Sequence, residues 1–151
     1  MTLGNIFCTF FSYTFKTYGE NKGDHPPISD EMLTWAASIG QGFVSGTSRF
    51  FFGTLMDKYS FKSLFGILMG IELLVAVVCY QAAYYPWLFF LCVVLNFMCI
   101  GGMFAVFPVA VINVFGLEHG PAILNLVFYG CLIASLINVL ATVYLIDIVG
   151  F

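Results

Sequence analysis

The feature that most constrains this chain is a succession of apolar stretches at residues 1–18, 32–55, 63–83, 87–115 and 120–146. The last two carry no formal charge, and the first three carry one each, Lys16, Arg49 and Glu72. A helix crossing a bilayer needs roughly 20 predominantly apolar residues. Strands that cross would read instead as alternating segments of about ten. Hydrocarbon offers no partner to unpaired backbone groups, so stretches of this length must be helical. The pattern predicts an all-α, multi-pass bundle of five spanning helices, a single unit over 1–151. Composition agrees: 9% of residues are charged and 61% apolar, against about 25% and 45–50% in a soluble domain. The first stretch ends in Lys16 and Gly19 and lacks a basic start and a cleavage site, so it reads as a spanning helix, not a secretory signal.

The loops orient the bundle. Lys58 and Lys62 follow Arg49 in one loop, while Glu20, Asp24, Asp30 and Glu31 dominate another against the single Lys22. Cationic loops stay in the cytoplasm, so the first faces in and the second out. The Tyr84-Tyr85-Pro86-Trp87 turn then faces out, at the depth where aromatic rings collect, and Gly116 to Gly120 returns inside. Five crossings leave Met1 inside and Phe151 outside. Ser29 or Asp30 is placed to cap the second helix. Gly116 should stop the fourth, and Gly120-Pro121 should open the fifth. Gly101, Gly102 and Pro108 predict a kink or a close neighbour within the fourth.

The second helix carries two stripes. Thr34, Ser38, Gln41, Ser45 and Ser48 recur at steps of three and four and form a polar line; Gly42, Gly46, Arg49 and Gly53 form a small-residue line beside it. The Gly42-x-x-x-Gly46 spacing suits close helix approach, and polar groups at this depth must meet protein or water. The hydroxyls either line a cavity or bond carbonyls in the preceding turn. The fifth helix repeats the pattern with Cys131, Ser135, Asn138 and Thr142, and has Asn125 and Tyr129 one turn apart. Asn96 and Asn113 lie on the fourth; amides of this kind either meet a solute or join helices at about 1 kcal/mol each. Glu72 is the one carboxyl in mid-membrane, and an ionised, unpaired form would cost several kcal/mol. It either carries a proton or packs as a neutral acid against a neighbour. Asp147, near the outer end of the fifth helix, reads as wet.

Other chemistry is not signalled. The five cysteines sit inside apolar stretches without metal or redox spacing and read as packing groups. His25 and His119 are far apart in loops. With no catalytic constellation, phosphate loop or basic patch beyond one turn, the reading is no enzyme, no cofactor, no metal and no nucleic acid.

The run Arg49-Phe-Phe-Phe-Gly53-Thr-Leu55-Met-Asp57-Lys58, followed by Lys62, resembles the cytoplasmic loop that major facilitator superfamily transporters carry between the second and third helix of each half. Ser60 and Phe61 stand where the family has Gly-Arg, and Ser63 replaces a basic residue. Phe15-Lys16-Thr-Tyr-Gly19 and Phe115-Gly116-x-x-x-Gly120 look like the oxalate/formate antiporter and monocarboxylate-carrier-like branch. The resemblance implies that the five helices are the seventh to eleventh of a twelve-helix secondary carrier, working with an N-terminal half by alternating access. It implies a small organic solute, a monocarboxylate among the candidates, and the plasma membrane as the default host. It assigns Asp57 to steadying one closed state, with Lys58 and Arg49 as local partners and Gly53 in the motif. It also places Gln41, Ser45, Asn96, Asn125 and Tyr129 along the solute path, and Glu72 on a peripheral helix. The fifth helix lacks the embedded cation of dicarboxylate carriers. The alternative is a non-transporting membrane protein that assembles with another through its Gly42/Gly46 and Gly66/Gly70 faces.

Overall fold

The computed structural model describes residues 2–20, 28–82 and 84–149, with the side chains of 2–6, 20, 142 and 145–149 left aside. Among the described residues every regular element is helical: α1 (Thr2–Glu20), α2 (Asp30–Ala37), α3 (Ser45–Met56), α4 (Phe61–Ala82) and α5 (Pro86–Val149). A π-helical stretch, Ser38–Val44, joins α2 to α3 without a break, since the residues at both junctions keep right-handed helical angles. The second apolar stretch is thus one continuous helix with a widened middle. Two helices, α4 and α5 over Pro86–Ala141, are long and apolar enough to cross a membrane.

The 64 residues of α5 do not form one rod. Gly116 has φ 74° and ψ 174°, angles that L side chains rarely adopt, and the chain reverses there. Contacts across the reversal pair residues equidistant from it. A Cβ on Gly120 would lie 3.4 Å from Ile112, and the Phe104 and Phe128 rings stack at 6.2 Å. The two limbs of α5 therefore form an antiparallel hairpin. Helix resumes at Leu117 directly, which corrects the expected start at Gly120; Pro121 falls just beyond the first turn. Glu118 sits in that first turn, where the positive helix end favours a carboxylate.

The first limb of α5 is the hub, and its neighbours alternate in direction. α1 runs against it, with Tyr18 stacked on Phe89 at one end and Asn96 bonded to α1 farther along. The α2–α3 helix runs with it, placing Gly40 at Phe97, Ser45 at Gly101 and Phe52 at Gly102. α4 runs against it again, with Phe61 and Phe65 at Phe107 and Leu68 at Cys99.

Packing falls into two apolar layers. One gathers Phe11, Phe15, Leu33, Ala36, Val75, Phe89, Val93 and Phe97; the other Cys8, Phe52, Met56, Leu64, Leu68, Cys99, Met103 and Val106. Four of the buried polar residues, Ser45, Ser48, Glu72 and Asn96, lie along the chain at or close to the places where one layer gives way to the other, while Asn138 is buried on the second limb of α5. A thin polar seam thus divides the interior.

Short connections lock the ends. Ser29 takes extended angles before α2 and its carbonyl accepts from the Met32 and Leu33 amides, while its side chain makes no cap bond. Asp30 pairs with Lys16 at 2.8 Å, both largely exposed, so the pair contributes no more than about 1 kcal/mol. At the other end the Lys58 and Tyr59 amides donate to the Leu55 carbonyl, and Ser60 accepts from the Ser63 and Leu64 amides to begin α4. Lys22, Asp24 and His25 lie outside the described residues.

Candidate functional site

The expected site residues separate into an open groove and the buried seam. The groove lies where α3 and the second limb of α5 flank the first limb. Its floor is Phe104: the Arg49 guanidinium carbon sits 5.6 Å from that ring's centre, and Phe128 stacks on the same ring at an interplanar angle of 22°. A guanidinium over an aromatic face gains about 0.5–1 kcal/mol at an exposed site. Arg49 belongs to this groove and not to the turn. It precedes Asp57 by eight residues, about 12 Å along a helix. Among the described residues no ion pair joins Asp57 to Arg49 or Lys58. Asp57, Lys58 and Lys62 are exposed at the turn, and a Cβ on Gly53 would meet nothing within 4 Å.

Asn125 and Tyr129 are exposed on the limb that carries Phe128. A small apolar cleft between the limbs is lined by Met103, Phe104, Phe107, Pro108, Leu124, Val127, Phe128 and Cys131. Of the described side chains beyond Gly120 only Ala134 and Asn138 are buried, so most of the second limb faces outward.

The polar stripe of the second helix does not stay on one face. Thr34, Ser38 and Gln41 are exposed, while Ser45 and Ser48 are buried against Gly101. A π turn closes i→i+5 bonds, so each wide turn shifts the residues after it relative to α-helical phase. The Ser48 hydroxyl donates to the Ser45 carbonyl at 3.0 Å, the backbone-bonding alternative for this residue. The glycines also change roles. Gly42, Gly46, Gly66 and Gly70 have open space where a Cβ would be, whereas Gly40, Gly101 and Gly102 are pressed against side chains or backbone. Close approach to another helix's backbone occurs at Gly101, whereas a Cβ on Gly42 or Gly46 would meet nothing within 4 Å.

Asn96, expected on the solute path, is sealed in the seam. It is 1% exposed, and its Nδ2 donates to Ser12 Oγ at 2.9 Å and to the Cys8 carbonyl at 3.4 Å. Its Oδ1 has no partner. This is the interhelical use of an amide. Asn96→Leu should therefore cost no more than about 1 kcal/mol, because the lost bond to Ser12 is offset by removing the stranded Oδ1. Thermal unfolding in detergent measures this; a larger loss would mean that the Asn96 Oδ1 is bonded as well.

Glu72 is buried in the same seam, 3% exposed, with the Cys8 and Cys99 thiols beside it. Sequence reasoning found the carboxyl but not its company, since nothing in residue spacing brings α1 to α4. No group of histidines, cysteines and carboxylates able to hold a metal occurs among the described residues. Compared with family models, curated proteins and solved structures, the chain finds no match.

Proposed function

We propose that the chain is a five-crossing membrane protein forming part of a secondary carrier for a small organic anion, a monocarboxylate being the simplest. Its surface supports membrane residence. Trp35, Phe43, Phe50, Ile67, Leu73, Leu74, Val77, Leu126, Leu132, Ile133 and Leu136 are all more than half exposed. Apolar patches of that extent mark a lipid or protein contact. The first helix, the π-widened second and the two limbs of α5 supply the remaining crossings to the count of five, and the basic turn at Asp57 to Lys62 keeps that end in the cytoplasm.

The observation that carries the solute class is Arg49. A guanidinium resting on an apolar ring in an open groove, with no carboxylate paired to it among the described residues, presents its remaining donors to an incoming anion. Phe104 and Phe128 beside it offer apolar contact to a short organic tail. Gln41, Asn125 and Tyr129 stay exposed on the flanking helices, where polar groups at bilayer depth require water or a solute. The second half of the carrier would close over this side.

Uptake of labelled monocarboxylates, dicarboxylates and sugars by cells expressing the natural polypeptide that carries this chain tests the reading. R49A should lower monocarboxylate uptake by at least about 30-fold at unchanged surface expression, because truncating one partner of a hydrogen-bonded charge pair costs about 2–5 kcal/mol, and R49K should restore only part of it, because a point charge does not replace a planar two-pronged donor. Uptake of none of these solutes, or uptake indifferent to Arg49, sinks it. The open faces at Gly42/Gly46 and Gly66/Gly70 favour a second reading, a membrane protein that only assembles with another. Co-purification with a second polypeptide and no transport would select it.

A further inference from the structure

Among the described residues, the seam between the two apolar layers holds three oxygen atoms without a well-formed hydrogen bond: both carboxyl oxygens of Glu72, which meet only Cys8, and Oδ1 of Asn96. They converge on one stretch of α1. Cys8 faces Glu72, and its carbonyl accepts from Asn96. The donors nearby are already committed. Asn96 Nδ2 serves Ser12 and Cys8, the Ser12 hydroxyl serves the Cys8 carbonyl at 2.8 Å, and the Cys99 thiol serves the Leu68 carbonyl at 3.7 Å. Among the described side chains facing Glu72, the polar hydrogen that remains is on the Cys8 thiol, a weak donor. With Glu72 ionised, the seam has an excess of acceptors, an unpaired charge and no strong donor left. One added proton removes the charge and supplies the missing donor together.

We infer that Glu72 is a proton-binding site: the carboxyl carries a proton while α1 is packed on α4 and α5, and releases it when α1 separates and water reaches the seam. The titratable groups facing it are Cys8 from α1 and Cys99 from α5; among the described residues no cationic side chain lies there to hold a carboxylate instead. Leu68 and Val75, one turn away on either side of Glu72, are buried at 0% and 3% exposure, so α4 offers no wet path along its own face. The site needs the packing of three helices and no transported solute, and it holds or fails independently of the carrier reading. Where that reading holds, the proton released on opening is the ion available for coupling.

A lipophilic dialkylcarbodiimide reports on this state because it reacts with the protonated acid. The acid proton moves to a carbodiimide nitrogen, the carboxyl oxygen bonds to the central carbon, and an oxygen-to-nitrogen acyl shift gives a stable N-acylurea that retains every atom of both reactants. The protein in lipid vesicles near neutral pH should acquire one such adduct at Glu72, located by peptide mass spectrometry. A water-soluble carbodiimide should leave Glu72 untouched while modifying exposed Glu31 and Asp57. The linkage has its own readout in Cys8 alkylation by a maleimide, normalised to E72Q at each pH. The packed state holds the proton and the opened state does not, so rising pH favours opening. The opened fraction should grow by up to about tenfold per pH unit above neutrality in the wild type, and stay flat in E72Q.

Absence of the Glu72 adduct, or its formation by the water-soluble reagent alone, overturns the assignment. So does Cys8 alkylation with the same pH dependence in both proteins. Adduct formation that changes when sodium replaces choline in the buffer overturns it in favour of a metal cation at the same oxygens. The carbodiimide measurement uses the wild-type chain, so it stands even where E72Q fails to fold.

Discussion

Gly101→Ala is expected to destabilise the bundle by about 3 kcal/mol, the upper end of what one inserted methyl costs in a packed interior. A Cβ there would run into the Ser48 hydroxyl and the Ser45 carbonyl, and would lie 2.9 Å from the Ser45 Cα. Two of those three atoms are backbone, so no rotamer change relieves the contact and the α2–α3 helix must move away from the hub. Phe52 and Leu68, each within 3.0 Å of a Cβ on the neighbouring Gly102, would lose contact with it. A fall in melting temperature of roughly 2–4 °C per kcal/mol is the readout, by circular dichroism in detergent. Removing the hydroxyl as well, in G101A/S48A, should recover little, because the Ser45 backbone remains. Gly42→Ala is the control. Its Cβ would enter open space, so alanine's better helix propensity, up to about 1 kcal/mol, should leave the bundle unharmed or slightly firmer. Equal losses at the two positions would mean that Gly42, and not only Gly101, packs against a helix.

That contrast shows where residue patterns inform and where they stop. Glycine spacing states which surfaces permit close approach, and both Gly42-x-x-x-Gly46 and Gly101-Gly102 qualify. Which of them is used depends on the face each helix turns inward, and the π stretch at Ser38–Val44 resets that face in mid-helix. A single helical period from Thr34 to Ser48 gives one uninterrupted polar stripe, and so merges exposed Gln41 with buried Ser48. Helix identity, the reversal at Gly116 and the short basic turn were legible because apolar length, a glycine after an apolar run and clustered cations each act locally. The motif alone groups Arg49 with the turn; its position over Phe104 depends on two helices meeting, which no local pattern encodes. Glu72 is legible as an anomaly, whereas the isolation of its oxygens depends on α1 covering it, a contact that no residue spacing states.

Gly116→Ala is expected to cost about 1–3 kcal/mol through the backbone alone, the usual penalty for holding an L side chain in a sparsely populated region. Nothing lies within 4 Å of the Cβ it would add, so neighbours contribute no clash. Gly116→Asn gives the sharper comparison. Asparagine is, after glycine, among the residues most tolerant of left-handed helical angles, whose ψ is near +47°, but ψ here is 174°. Asn should therefore fail as badly as Ala, and a rescue by Asn would show that the turn relaxes into the left-handed helical well. The consequence extends beyond stability. Without its break, α5 would run as a rod of about 96 Å, three times the hydrocarbon thickness of roughly 30 Å, and the flanking sequence already favours helix on both sides. Any straightening pulls Phe128 off Phe104 and opens the groove that holds Arg49. A benzoylphenylalanine in place of Phe128 should cross-link to the first limb in the parent chain, and do so far less in G116A and G116N. Where the carrier proposal holds, the same variants should also lose uptake, even at temperatures where both remain folded. Cross-linking that survives in both would mean that contacts between the limbs, and not the glycine, set the reversal.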